Sequence, residues 1–187
     1  MTEEDYLSAG YEKEEQIISI VQANKMAFVT AGPFVVLEFI IWLGVFHLPL
    51  GLKLSHAFGL LLLYILTIPI HEGLHGLGFL PFVKNGFKSI KFGFMKEYLT
   101  PYCHCREGLK PRAYLFALLL PFGVLGIGTF IIGLLTQEPL FLWLSALSLL
   151  SAGGDTTIAV LLRKYLSLPD CFIKDHVSEC GFVAYVK

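Results

Sequence analysis

His71 and His75 stand four residues apart with Glu72 between them, in the run His71-Glu72-Gly73-Leu74-His75. On a helix that spacing puts both imidazoles on one face, so they converge on one metal ion while the carboxylate stands beside it. Zinc takes such nitrogen donors and keeps a position open for water, and an adjacent carboxylate accepts that water's proton. The chemistry implied is metal-assisted hydrolysis. The motif lies in an apolar stretch, where ionisable groups are costly and mark function rather than packing.

A third ligand decides the type of site, and the candidates are Asp155, Glu97 and the Cys103-His104-Cys105 cluster. A three-histidine site of the HExxHxxGxxH kind is excluded, because Gly78 matches the pattern's glycine but Pro81 occupies its third histidine position. Depth in the membrane favours Asp155. Counted from the outer ends of their spans, His71 and Asp155 both lie about 21 to 23 Å deep at helical rise, so they can meet. The preceding Ala152-Gly153-Gly154 lets two helices approach closely and loosens the backbone around a site. Glu97 falls in a loop and remains the second choice, whereas ligands one residue apart, as in Cys103-His104-Cys105, do not match structural zinc spacing.

The elements that position these residues are membrane spans. The chain has 187 residues, 55% hydrophobic and 16% charged, and its mean hydropathy of +0.68 is that of a membrane protein. A net charge of −1 excludes a basic field for nucleic acid. Four stretches reach the roughly 20 apolar residues a helix needs to cross a bilayer: Ala27 to Leu48, Ala57 to Phe79, Ala113 to Leu135 and Leu140 to Leu162. The expected architecture is therefore a single all-α integral membrane domain of four transmembrane helices. With four spans, 13 of the 14 Lys and Arg residues share one side and only Lys53 lies opposite. The positive-inside rule then predicts a multi-pass protein of the cell membrane with both termini and the central loop cytoplasmic. The acidic start, MTEEDYLSAGYEKEEQ, is not a cleaved signal peptide, so the first span is the targeting signal.

In the central loop Ile90, Phe92 and Phe94 alternate with Lys91 and Gly93, the period of a half-buried strand or short hairpin. An interfacial segment resting its Phe side chains among lipid headgroups fits the same pattern. Glu38, mid-way along the first span, must face the helix bundle, hydrogen-bonded or protonated. Pro69 removes a helical hydrogen bond two residues before His71. The four cysteines are too few and too unevenly placed for a disulfide scaffold, and their redox state depends on which side they face; in a reducing cytoplasm Cys103 and Cys105 are expected to be free thiols.

HEGLHG in an apolar helix, PYCHC at Pro101 to Cys105 and SAGGD at Ser151 to Asp155 resemble the bacterial putative zincin peptidases, a family of small integral membrane proteins that is similar to the site-2 protease clan. The resemblance implies an intramembrane zinc metallopeptidase acting on membrane-associated protein or peptide near the cytoplasmic face, with His71, His75 and Asp155 on zinc and Glu72 as general base. The chain departs from the larger site-2 proteases in carrying GGD where they have an LDG-type motif, and in lacking a recognisable PDZ insertion. Two other readings use the same residues: a non-enzymatic zinc-binding membrane protein, and a small transporter or partner subunit with histidines lining a pathway.

Overall fold

The computed structural model describes residues 2–96, 100–177 and 179–187. Its helical part begins at α2 (Ile20–Thr30), where the Ser19 hydroxyl accepts from the Gln22 N–H and the Gln22 side chain accepts from the Ser19 N–H. α3 (Gly32–Ile40) continues it into a π-helical turn, Ile41–Val45. Residues Val21–Val45 thus form one apolar helix long enough to cross a membrane. It starts six positions before the expected Ala27, because that reciprocal cap sits ahead of the apolar run. α4 (Leu54–Phe79) is the second such helix, and α5 (Pro111–Pro121) runs through a π-helical segment into α6 (Thr129–Thr136) to make the third. Leu61, Leu62, Ile65 and Leu66 of α4 point outward, an apolar surface suited to lipid rather than water.

The stretch expected as a fourth straight span is two helices instead. α7 (Pro139–Ser151) and α8 (Gly153–Leu162) meet at Ala152 with a bend of 47°. Among the described residues three helices are therefore long and apolar enough to span alone, and this broken pair is a further candidate.

The central loop holds the expected hairpin. β2 (Ile90–Met95) pairs antiparallel with β3 (Thr100–Cys105), matching Ile90 with Cys105 and Phe92 with Cys103. The Cys103-His104-Cys105 cluster is thus strand, not loop. The all-α expectation is corrected at the chain ends, which form a second sheet in the order β1-β5-β4 from β1 (Glu12–Ile17), β4 (Cys171–Asp175) and β5 (Gly181–Val186). A short helix, α1 (Glu3–Ser8), packs on it by stacking Tyr6 against Tyr185 at 4.2 Å. The largest buried cluster lies where the two sheets meet the bundle, with Phe79 of α4, Tyr114 and Ala117 of α5, Leu162 of α8, Ile90 of β2, Cys105 of β3 and Ile173 and Phe182 of the terminal sheet.

Candidate metal centre

α4 is continuous through Pro69, so His71 and His75 are one turn apart on an unbroken helix. Their rings stand edge to face at 4.8 Å, with the two Nε2 atoms 3.1 Å apart. His75 is 7% exposed, and its Nδ1 lies 3.0 Å from the carbonyl oxygen of Ala117 on α5. A carbonyl only accepts, so Nδ1 carries the proton and Nε2 presents its lone pair to the site. This contact exists because Gly78, three residues on, lets α4 lie against the Ala117 backbone; a Cβ there would sit 2.7 Å from the Ala117 Cα.

Asp155 arrives from the opposite side, in the first turn of α8. The bend at Ala152 aims that turn at α4. Two sets of contacts hold it. The Tyr64 and Ser151 hydroxyls lie 2.8 Å apart and tie α4 to the end of α7, while Thr30 meets Thr156 at 2.7 Å and ties α2 to α8. Gly153 has Ala27 pressed against the position a side chain would take, so the glycine is needed for this approach.

The carboxylate of Asp155 then reaches both imidazoles, Oδ2 at 3.1 Å from His71 Nε2 and Oδ1 at 3.4 Å from His75 Nε2. Among the described residues His71, His75 and Asp155 form a group able to hold a metal ion, with their donor atoms all within 4.8 Å of one another. Bonds of about 2.0–2.1 Å in a tetrahedron put neighbouring donors about 3.3 Å apart; here the two Nε2 atoms are 3.1 Å apart and each has a different Asp155 carboxylate oxygen at 3.1 or 3.4 Å, so the group can close around an ion. The donor types fit as well, two imidazoles and one carboxylate with room for a fourth ligand. At 14, 9 and 17% side-chain exposure, His71, His75 and Asp155 are largely shielded yet not sealed.

Glu72 is adjacent to the first imidazole on the same helix. The hairpin rests on α4 at this level, with the Phe92 ring against Gly76. Cys103 and Cys105 are free thiols outside the donor group, and burial pushes the Cys105 thiol up to about 12. Glu97 lies outside the described residues. Glu38 is elsewhere in the bundle, buried against α7 with one carboxyl oxygen 2.7 Å from the Ser145 hydroxyl. Sequence reasoning missed the Ala117 carbonyl, the Tyr64–Ser151 and Thr30–Thr156 pairs and, in the tail, Asp175, which accepts from the Cys105 N–H at 2.6 Å. All are long-range partners with no local pattern to announce them.

Compared with known families, residues 64–167 match the one described as putative zincin peptidase. Neither the comparison with curated proteins nor that with solved structures gives a match.

Proposed function

The chain belongs to the putative zincin peptidase family, and on that premise we propose that it is an intramembrane zinc metallopeptidase, with His71, His75 and Asp155 as the metal ligands and Glu72 as the general base. The observation that supports this reading is the convergence of His71, His75 and Asp155 from two helices, with one donor atom of each within 4.8 Å of the others. Bound there, zinc supplies Lewis acidity, which lowers the pKa of water and polarises a carbonyl. Glu72 takes the proton of the attacking water and delivers it to the leaving amine. The Ala117 carbonyl keeps His75 in the tautomer that presents Nε2.

Membrane placement rests on parity. β1 from the N-terminal end pairs with β5 from the C-terminal end, which supports both ends on one side of the bilayer, an even number of crossings and the bent α7–α8 pair as the fourth span. The hairpin is tied to that terminal sheet through Asp175 and the Leu109–Ile173 bridge, so it shares the side rich in Lys and Arg, the cytoplasmic one. The substrate is a membrane-associated polypeptide, and it must be extended for its carbonyls to be reached. The outer edge of β2, with no strand beside it among the described residues, offers backbone groups on which such a segment can pair.

The test is zinc content per chain in detergent-purified protein together with hydrolysis of an unstructured polypeptide such as casein. Wild type is expected to carry about one zinc per chain, Asp155→Ala to lose it, and Glu72→Gln to keep it while losing hydrolysis. Zinc-free wild type from a metal-replete preparation overturns the proposal. Zinc retained with equal activity in wild type and Glu72→Gln removes Glu72 from the mechanism, and zinc without hydrolysis in either supports a non-enzymatic zinc protein.

A further inference from the structure

α5 has two faces. Tyr114, Ala117, Leu118 and Pro121 are buried against the rest of the bundle. On the other side Arg112, Leu115, Phe116, Leu119, Leu120 and Gly123 recur at the three- and four-residue steps of one helical stripe and line a groove of about 360 Å³. The groove ends at Gly123, an exposed residue of the π-helical segment. A Cβ there would meet nothing within 4 Å, so the missing side chain leaves open space. From Arg112 to Gly123 the helical rise is about 16 Å, close to the roughly 15 Å that one leaflet contributes to a hydrocarbon core of about 30 Å. The groove thus has the length of a single acyl chain lying along the helix.

Its one charge stands at one end. Arg112 is exposed in the first turn of α5, and Tyr114, two residues on, bonds to Asp175 of the terminal sheet, so this end lies on the side of the sheets. Among the described residues no carboxylate forms an ion pair with Arg112, and none of the six lining residues is acidic. The N-terminal end of the α5 dipole adds positive potential there. An unpaired guanidinium at the headgroup end of an apolar groove selects an amphiphile with a phosphate at one end. A second cavity, lined by Gln16, Val160, Leu161, Arg163 and Lys164, also joins apolar and basic groups, but the Glu14 carboxylate lies 2.9 Å from Lys164 and offsets its charge. We propose that the α5 groove binds an anionic phospholipid of the cytoplasmic leaflet, its phosphate on Arg112 and one acyl chain running along the stripe to Gly123. A zwitterionic lipid brings its own cation towards Arg112 and is held less tightly. The site rests on the membrane placement argued above and not on the peptidase reading.

The experiment is native mass spectrometry of the detergent-purified full-length chain, titrated with phosphatidylglycerol or phosphatidylcholine of identical acyl chains. Wild type is expected to hold phosphatidylglycerol about fivefold more tightly, the scale of one basic residue at a membrane surface. Arg112→Gln is expected to bind the two lipids equally, and Arg112→Lys to keep the preference. Gly123→Leu fills the open end and displaces about two methylenes, which weakens both lipids by about tenfold with the preference intact. Arg163→Gln, at the second cavity, leaves both affinities unchanged. Equal affinity of wild type for the two lipids, a preference that survives Arg112→Gln or is lost in Arg163→Gln, or a helical Gly123→Leu that binds like wild type overturns the site. Release of the chain from membranes by alkaline carbonate, measured first, overturns the membrane placement and the lipid site together; a chain that stays with the membrane but fails the titration overturns the site alone.

Discussion

Gly78→Ala tests whether the close contact of α4 with α5 controls the metal site. The added Cβ would meet the Ala117 Cα at 2.7 Å and its Cβ at 3.0 Å. Carbon atoms in contact settle at about 3.5–4.0 Å, so the two helices must separate by about 1 Å. The Ala117 carbonyl moves with α5, and its bond to His75 Nδ1, now 3.0 Å, stretches to about 4 Å, beyond hydrogen-bonding range. Loss of such an outer partner weakens metal binding by about 10–100-fold, or about 1.4–2.7 kcal/mol. The assay is zinc competition against a chelator of known affinity, in detergent, with helical content monitored by circular dichroism. Gly73→Ala is the control, because no atom lies within 4 Å of its added Cβ, and its zinc affinity is expected to match wild type. Equal affinity in Gly78→Ala and wild type, with helices intact, refutes the account of how His75 is oriented.

Acid sensitivity comes from Glu107, whose carboxyl is drawn down to about 2 by the Ser89 hydroxyl and then by the N–H groups of Lys84 and Asn85. A folded value below the ordinary 4.5 means its stabilisation is complete above that pH and is lost as pH falls through about 2; Glu107→Gln should flatten thermal stability across that window. Thr30→Val removes the hydroxyl contact to Thr156 and is expected to cost about 0.6 kcal/mol, the usual yield of a hydrogen bond between membrane helices, read as a small loss of unfolding temperature. Burial pushes the Cys105 and Cys171 thiols up to about 12 and about 11. Both should therefore resist iodoacetamide at about pH 8 in the folded protein and react on denaturation, measured by mass spectrometry.

The zinc motif was legible because its information is local: four residues of helical spacing suffice. Asp155 needed one further step, a comparison of depths at helical rise, and its carboxylate does lie beside the two histidines. The same arithmetic assumed straight spans and so did not foresee the 47° break at Ala152, although Gly153 and Gly154 announced a loosened backbone. The hairpin showed itself through the alternation of Ile90, Phe92 and Phe94. The terminal sheet did not. β1 reads Glu-Lys-Glu-Glu-Gln-Ile, exposed along nearly its whole length, so it carries no apolar period. Its strand character comes from pairing with β5 across almost the entire chain, which no local window contains.

The proposed zinc ligands and the hairpin beside Glu72 are held by different parts of this molecule. The proposed ligands are held by helix against helix, through Ala117 on His75, Tyr64 on Ser151 and Thr30 on Thr156, next to Asp155. The hairpin that rests on α4 one turn from Glu72, with Phe92 against Gly76, is anchored through the Cys105 N–H and Asp175 to a sheet joining the two ends of the chain. Changes in the bundle should therefore appear first in metal affinity. If the proposed peptidase reading holds, changes in the terminal sheet are expected to leave zinc content unchanged, since none of the proposed ligands lies in it.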